Sequence, residues 1–226
     1  MDYNDDGTVD GEQVESLMPA ELTAAVEYLI ARKVTNLKKY DFYISTDQDN
    51  NMHQRLIIPL KWQGNIIGYT ARALVDGVKP KYYTNHEPDF VFNMDMQTAD
   101  RQFVIVTEGP FDAMSVDGVA ILGSEVSDQQ VDIIDSLKKK VIVVPDFDVK
   151  INERTGKKMW SGRALIDAAL ENDWCVSFPL WAGEYKDIAE AVQKTDKLFV
   201  LKSIIDAHET SALKIELLTK KLYNTL

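Results

Sequence analysis

Cysteine is almost absent from these 226 residues: Cys175 stands alone. One thiol excludes an internal disulfide, and with only His53, His86 and His208 beside it the chain cannot build a thiolate zinc cluster. Basic residues are also scarce, 25 Lys and Arg against 36 Asp and Glu, for a formal charge of -11. That balance argues against indiscriminate attraction to a polyanion, so any contact with nucleic acid has to come from a local basic patch or from metal ions. No apolar run approaches the length of a membrane span, and the first residues are acidic where a secretory signal starts basic. The expectation is a protein of a reducing cytoplasm. What the chain does have is 45% hydrophobic residues, ample for one large domain or two small ones.

Residues 1–18 read as an acidic tail. The spacing imitates a calcium loop, with Asp2, Asn4, Asp6 and Asp10 at positions one, three, five and nine and Gly7 at six. Position twelve is Gln13 where a bidentate glutamate is needed, and Glu12 comes one residue early, so a solvated tail is the expectation. From Pro19, "PAELTAAVEYLIARK" carries a first-turn proline and sets Leu22, Val26, Leu29 and Ile30 on one helical face. "RLIIPLKWQGNIIGYTARAL" follows, two β-rich runs around "QGN" that read as an antiparallel hairpin or meander. Within 53–82 the bases Arg55, Lys61, Arg72, Lys79 and Lys81 face a single acid, Asp76, so the segment is +4 and the rest of the chain -15. Such a stretch is either an ordinary solvated sheet face or a basic surface with a use.

The second half alternates short strands with helices. "FVIVT" (103–107), "VAILG", "KVIVVP" and "CVSFPL" read as strands; "GPFDAMSV", "SDQQVDIIDSLKK", "GRALIDAALEN" and "DIAEAVQK" read as helices, the second opened by a capping box of Ser127 with Gln130. That rhythm predicts an α/β domain with a parallel sheet covered on both faces, preceded by a smaller mixed α+β basic subdomain. The expected division is 19–100, 101–196 and a helical segment at 197–226, with the boundary near 97–102. "KLFVLKSIIDAH" has no decisive period and fits helix or strand, whereas "ETSALKIELLTKKLYNTL" reads as a closing helix.

Ligands of open parallel sheets gather beyond the carboxyl ends of the strands, and there the acids accumulate. Glu108 follows the first strand, and Asp112 lies in the first turn of the next helix. Asp146 and Asp148 follow "KVIVVP", two apart on extended chain, so both can face one side while Phe147 points away. Asp187 follows the last strand and opens another helix. Clustered carboxylates repel one another unless a cation or protons intervene, and Mg²⁺ prefers oxygen ligands of this kind.

"VTEGPFDAM", "VVPDFDV" and "YKDIAEAV" resemble the glutamate, Asp-x-Asp and Lys-Asp elements of the Toprim fold, shared by bacterial-type primases, type IA and type II topoisomerases and small nucleases. "RLIIPLKWQGNIIGYTARAL" with "KPKYYTN" is similar to the basic subdomain that precedes Toprim in bacterial and phage replicative primases. The resemblance spans roughly residues 20–195. It implies primer synthesis by nucleotidyl transfer, with Glu108, Asp112, Asp146, Asp148 and Asp187 as the cage for Mg²⁺ or Mn²⁺. Glu108, Asp146 and Asp148 are the expected catalytic residues, Glu108 acting as base or only as ligand. Arg55, Arg72, Lys79 and Lys81 would hold nucleotide phosphates or template. Implied partners are a single-stranded DNA template, ribonucleoside triphosphates, a replicative helicase and a separate zinc-binding template-recognition module. Three departures stand out. Ala189 replaces a second acid two residues after Asp187; the small residue and glycine expected directly after Asp-x-Asp come only after "VKINERTGKKMW"; and a basic residue near "FVFNMDM" is missing. The rivals are a Toprim nuclease and a non-catalytic nucleic-acid-binding module. The inserted loop, with Lys150, Arg154, Lys157 and Lys158, reads either as a substrate clamp or as a solvated insertion.

Overall fold

The computed structural model describes residues 20–34, 37–45, 52–86, 89–151, 156 and 158–225. The calcium-like spacing of residues 2–13 lies outside the described residues, as do Pro19, Arg154, Lys157 and the side chain of Lys150. The chain forms two compact units, residues 1–59 with 68–86 and residues 60–67 with 87–226.

In the first unit, helix α1 (Ala20–Ala31) is followed by the one-turn α2 (Leu37–Tyr40). Ala25 and Leu29 form the buried stripe of α1; Ile30, expected on that face, is 67% exposed, because the stripe is centred one position to the side. A four-stranded antiparallel sheet runs in the order β1 (Tyr43–Ile44), β2 (Arg55–Trp62), β3 (Asn65–Ala73) and β4 (Tyr82–Asn85). The expected hairpin is β2–β3. Its two turn residues, Gln63 (φ 50°) and Gly64 (φ 78°), are both left-handed, as a tight two-residue turn of this hand requires.

That hairpin tip belongs to the second unit, where Asp95 accepts the N–H groups of Gln63 and Gly64, both at 2.9 Å. The division falls at residue 86, ahead of the change of rhythm at 97–102. The physical reason is that Phe90, Val91, Phe92 and Met94 are already buried, and the Gln130 amide donates to the carbonyls of Phe90 (2.8 Å) and Ile121 (2.9 Å).

The second unit is built on a five-stranded sheet in the order β11-β10-β7-β5-β6, from β5 (Phe103–Thr107), β6 (Val119–Ala120), β7 (Lys140–Val143), β10 (Cys175–Ser177) and β11 (His208–Glu209). Four strands are parallel, as the alternating rhythm predicts. The edge strand β11 adds one antiparallel pairing, with β10; two residues are too few to carry a pattern. The helices are α3 (Pro110–Val116), α4 (Asp128–Asp135), α5 (Arg163–Glu171), α6 (Ile188–Lys194), α7 (Lys197–Asp206) and α8 (Ala212–Thr225). Ser127 and Gln130 close both halves of the capping box at α4. The inserted loop forms a two-stranded antiparallel ribbon, β8 (Val149–Ile151) with β9 (Lys158–Trp160).

Candidate functional site

Strand β5 ends at Thr107, and Glu108 is the first residue beyond it. Pro110 opens α3 and puts Asp112 in the first turn, where negative charge suits the helix dipole. Asp112 is buried, and its Oδ1 accepts the N–H of Ala189 at 2.8 Å. The position where a second acid was expected is therefore filled by a fully buried alanine whose main chain is held by one of the site's own carboxylates. Asp187 caps α6 by accepting the N–H of Glu190 at 2.7 Å.

Asp146 is at the centre. Its N–H donates to Glu108 Oε1 at 3.4 Å, and its carbonyl accepts the indole N–H of Trp160. Burial, and then the carboxylates of Asp112, Glu108, Asp187 and Asp148, push its carboxyl up to about 9. Phe147 turns away as the alternation of an extended chain requires: it is buried, edge-on to Trp181 with ring centroids 5.6 Å apart, and its N–H donates to the carbonyl of Lys186 at 2.6 Å. Asp148 is exposed. The ends of β5 and β7 and the start of α6 thus bring all five predicted acids into one electrostatic field.

They do not form a finished cage. Among the described residues no three His, Cys, Asp or Glu side chains converge as a ligand set. Asp112 and Asp187 each hold a helix N–H group and Glu108 approaches that of Asp146, which spreads the carboxylates along an open edge. Such a donor set fits Mg²⁺, which takes one or two carboxylates and fills its shell with waters and substrate phosphates.

The ribbon restores what the sequence displaces. β9 delivers Ser161 and Gly162 beside Asp-x-Asp, and Ser161 Oγ donates to the carbonyl of Asp148 at 3.2 Å. A Cβ at Gly162 would lie 2.5 Å from Pro145 Cβ and 2.6 Å from the carbonyl of Asp146, so only glycine allows this approach. The displaced small residue and glycine of the sequence reading are Ser161 and Gly162; what the sequence reading missed is Trp160, whose indole N–H holds the carbonyl of Asp146.

The basic candidates divide. Lys79 and Lys81 are exposed, and the Arg72 guanidinium lies over the rings of Tyr82 (5.0 Å) and Tyr28 (5.7 Å). Arg55 corrects the expectation: it is 1% exposed, and its guanidinium donates to the carbonyls of Ala71 (3.2 Å) and Pro80 (2.9 Å). Its charge is spent holding the strand connection and is not offered to phosphates. Arg55→Met should lower stability by roughly 2–3 kcal/mol in chemical denaturation, because buried carbonyls lose a charged donor.

No family model matches the chain. A DNA primase of Staphylococcus aureus (strain COL) is 28% identical over 192 residues, covering 75% of this chain and 30% of the relative. The RNA polymerase domain of Mycobacterium tuberculosis primase DnaG superposes with a TM-score of 0.66 at 18% identity, over 87% of this chain and 79% of that one. A DnaG primase catalytic domain bound to single-stranded DNA gives 0.63 at 18% identity, over 92% and 78%. The fold is that of a DnaG-type primase catalytic core. The chain spans about a third of the length of the curated relatives it matches. Within the primase-core fold, the ribbon β8–β9 accounts for the interval after Asp-x-Asp, and Glu108 and the Asp146–Asp148 pair follow β5 and β7.

Proposed function

We propose that this chain is the catalytic core of a DNA primase, joining ribonucleotides into short primers on a single-stranded DNA template. The observation that carries the reading is the crowding of Glu108, Asp112, Asp148 and Asp187 around the largely buried Asp146, at the strand ends of a primase-core fold. An acidic edge that holds its own central carboxyl above the ordinary range is a site waiting for divalent cations. Mg²⁺ or Mn²⁺ bound there would stabilise charge on the attacking 3'-oxygen and on the departing pyrophosphate. Asp146 and Asp148 beyond β7, Glu108 beyond β5 and Asp187 at the start of α6 would supply its ligands. Asp112 keeps α6 in register through Ala189. Arg72, Lys79 and Lys81 hold template or triphosphate by charge. The S. aureus relative is named a DNA primase, and one solved relative carries single-stranded DNA, which supports the same substrate class here.

The test is incubation with single-stranded template, ribonucleoside triphosphates and Mg²⁺, with a replicative helicase and a zinc-binding template-recognition module supplied separately. Short oligoribonucleotides that require all three are the expected product. Labelled nucleic acid shortened in the absence of nucleotides, with no oligomer made, would assign the site to phosphodiester cleavage instead.

A further inference from the structure

Residues 144–148 belong to no strand or helix, so the two aspartates are fixed by what grips this stretch from its sides. Its N–H groups are taken by the body of the unit: Val144 donates to the carbonyl of Val106 at 3.0 Å, Asp146 approaches Glu108, and Phe147 donates to the carbonyl of Lys186. The carbonyls of both aspartates are held instead by the returning arm of the insertion, Asp146 by the Trp160 indole N–H and Asp148 by the Ser161 hydroxyl. The side chain between them is gripped as well. The Phe147 ring stacks on Trp160 with centroids 6.3 Å and planes 28° apart, and meets Trp181 edge-on; all three rings are buried. Trp160 thus holds Asp-x-Asp both by the main chain and by the middle side chain. It is itself braced, because helix α8 holds the chain on either side of it. The Tyr223 hydroxyl donates to the carbonyl of Lys158 at 2.9 Å, Glu216 pairs with Arg163 at 3.1 Å, and Ile215 roots the helix in the core. Each polar contact of this kind is weak where water reaches it, so the brace is their sum on one short segment.

Stiffness of this stretch matters to the ion it would hold. Mg²⁺ demands near-octahedral oxygen ligands at ~2.0–2.1 Å, whereas Ca²⁺ accepts about six to eight oxygens at ~2.3–2.6 Å in flexible geometry. A carboxylate pair on a fixed main chain favours the smaller ion, and a slack pair forfeits that preference. We propose that Trp160, braced by α8, is a positioning residue of the acidic edge and makes the Asp146–Asp148 pair selective for Mg²⁺ or Mn²⁺ over Ca²⁺. The inference rests on the reading that these two aspartates bind the cation. It gives the insertion a role: where a small residue and glycine follow Asp-x-Asp directly, no residue is left to supply the indole, and here β9 brings one back with them.

The experiment uses the whole chain, with Mn²⁺ as the probe, its free fraction read by electron paramagnetic resonance, and Mg²⁺ and Ca²⁺ as competitors. Asp146→Asn supplies the blank for ions held elsewhere on an acidic surface. Wild type should bind Mn²⁺ and release it to Mg²⁺ at lower concentration than to Ca²⁺. Trp160→Phe keeps a ring beside Phe147 and deletes the indole N–H. It should weaken Mn²⁺ and Mg²⁺ about tenfold, the low end for a partner behind a metal ligand, and Ca²⁺ by no more than about threefold. Tyr223→Phe loses one hydroxyl and should move the ratio of Ca²⁺ to Mg²⁺ affinity in the same direction, by about twofold. A merely structural role predicts a lower Tm in EDTA with that ratio unmoved. An unmoved ratio in Trp160→Phe or, if that variant does not fold, in Tyr223→Phe overturns the positioning role and leaves the ligands standing, as does a wild type without preference for Mg²⁺. Mn²⁺ binding by wild type no stronger than by Asp146→Asn overturns the ligand reading, and this inference with it.

Discussion

Asparagine at position 146 should cut primer synthesis more than about a hundredfold and leave the fold in place. Removing a partner one step behind a metal ligand already costs about 10–100-fold, and on the proposed reading Asp146 would itself be a ligand. The change is clean because the contacts of this residue to its neighbours run through its main chain: the N–H to Glu108 and the carbonyl to the Trp160 indole both survive it. Only the carboxyl group that would bind a cation is lost. Primer yield, a thermal melt and calorimetric titration with Mn²⁺ should show activity and ion binding falling together while the melt stays cooperative. Activity within a few-fold of wild type would remove Asp146 from the reaction.

The same substitution should abolish an unusual pH dependence of stability. Burial and four carboxylate neighbours raise the Asp146 carboxyl to about 9 in the folded protein, against ~3.9 in an unfolded chain. Between those values the native state keeps a proton that the unfolded state has released. Stability contributed by this group therefore declines as pH rises from about 4 towards 9, by at most about 1.4 kcal/mol per pH unit for one proton. Ordinary surface carboxylates act in the opposite sense below pH 5, so the informative curve is wild type minus Asp146→Asn, measured by denaturant unfolding in EDTA. That difference should fall across the window and flatten when millimolar Mg²⁺ is added, because the cation takes the place of the proton and binds only the folded chain. A flat difference curve without metal would mean that the five acids do not feel one another.

How much of this was legible in the sequence depends on the physical signal of each part. β5 and β7 are dense β-branched runs with abrupt polar ends, so both the strands and the acids beyond them could be read directly. The capping box of α4 was visible for the same reason: Ser127 and Gln130 are a local pair that needs no tertiary information. Residues 197–206 left helix and strand open because apolar side chains occur on every face. The deciding feature was one residue earlier, where Asp196 caps α7 by accepting the N–H of Phe199 at 2.9 Å. β8, β9 and β11 are two or three residues each, too short for a periodicity. Arg55 was misread because a count of charges cannot tell which guanidinium is buried against carbonyls. The role of Ala189 was invisible for a related reason, since its contact with Asp112 uses a main-chain N–H that every residue except proline possesses.

The ribbon β8–β9 makes this corner of the molecule a length-tolerant joint. Val149 and Trp160 are opposed Cα partners, so the chain departs from Asp148 and returns to Ser161 about one strand spacing away, ~4.8 Å, however many residues are added between. Residues that pair with themselves add no slack to the aspartates behind them. Insertions and deletions at this point should therefore drift freely among relatives while the acidic edge stays fixed. A pattern meant to recognise such chains should treat Asp-x-Asp and Ser-Gly as two separate words joined by a gap of variable length.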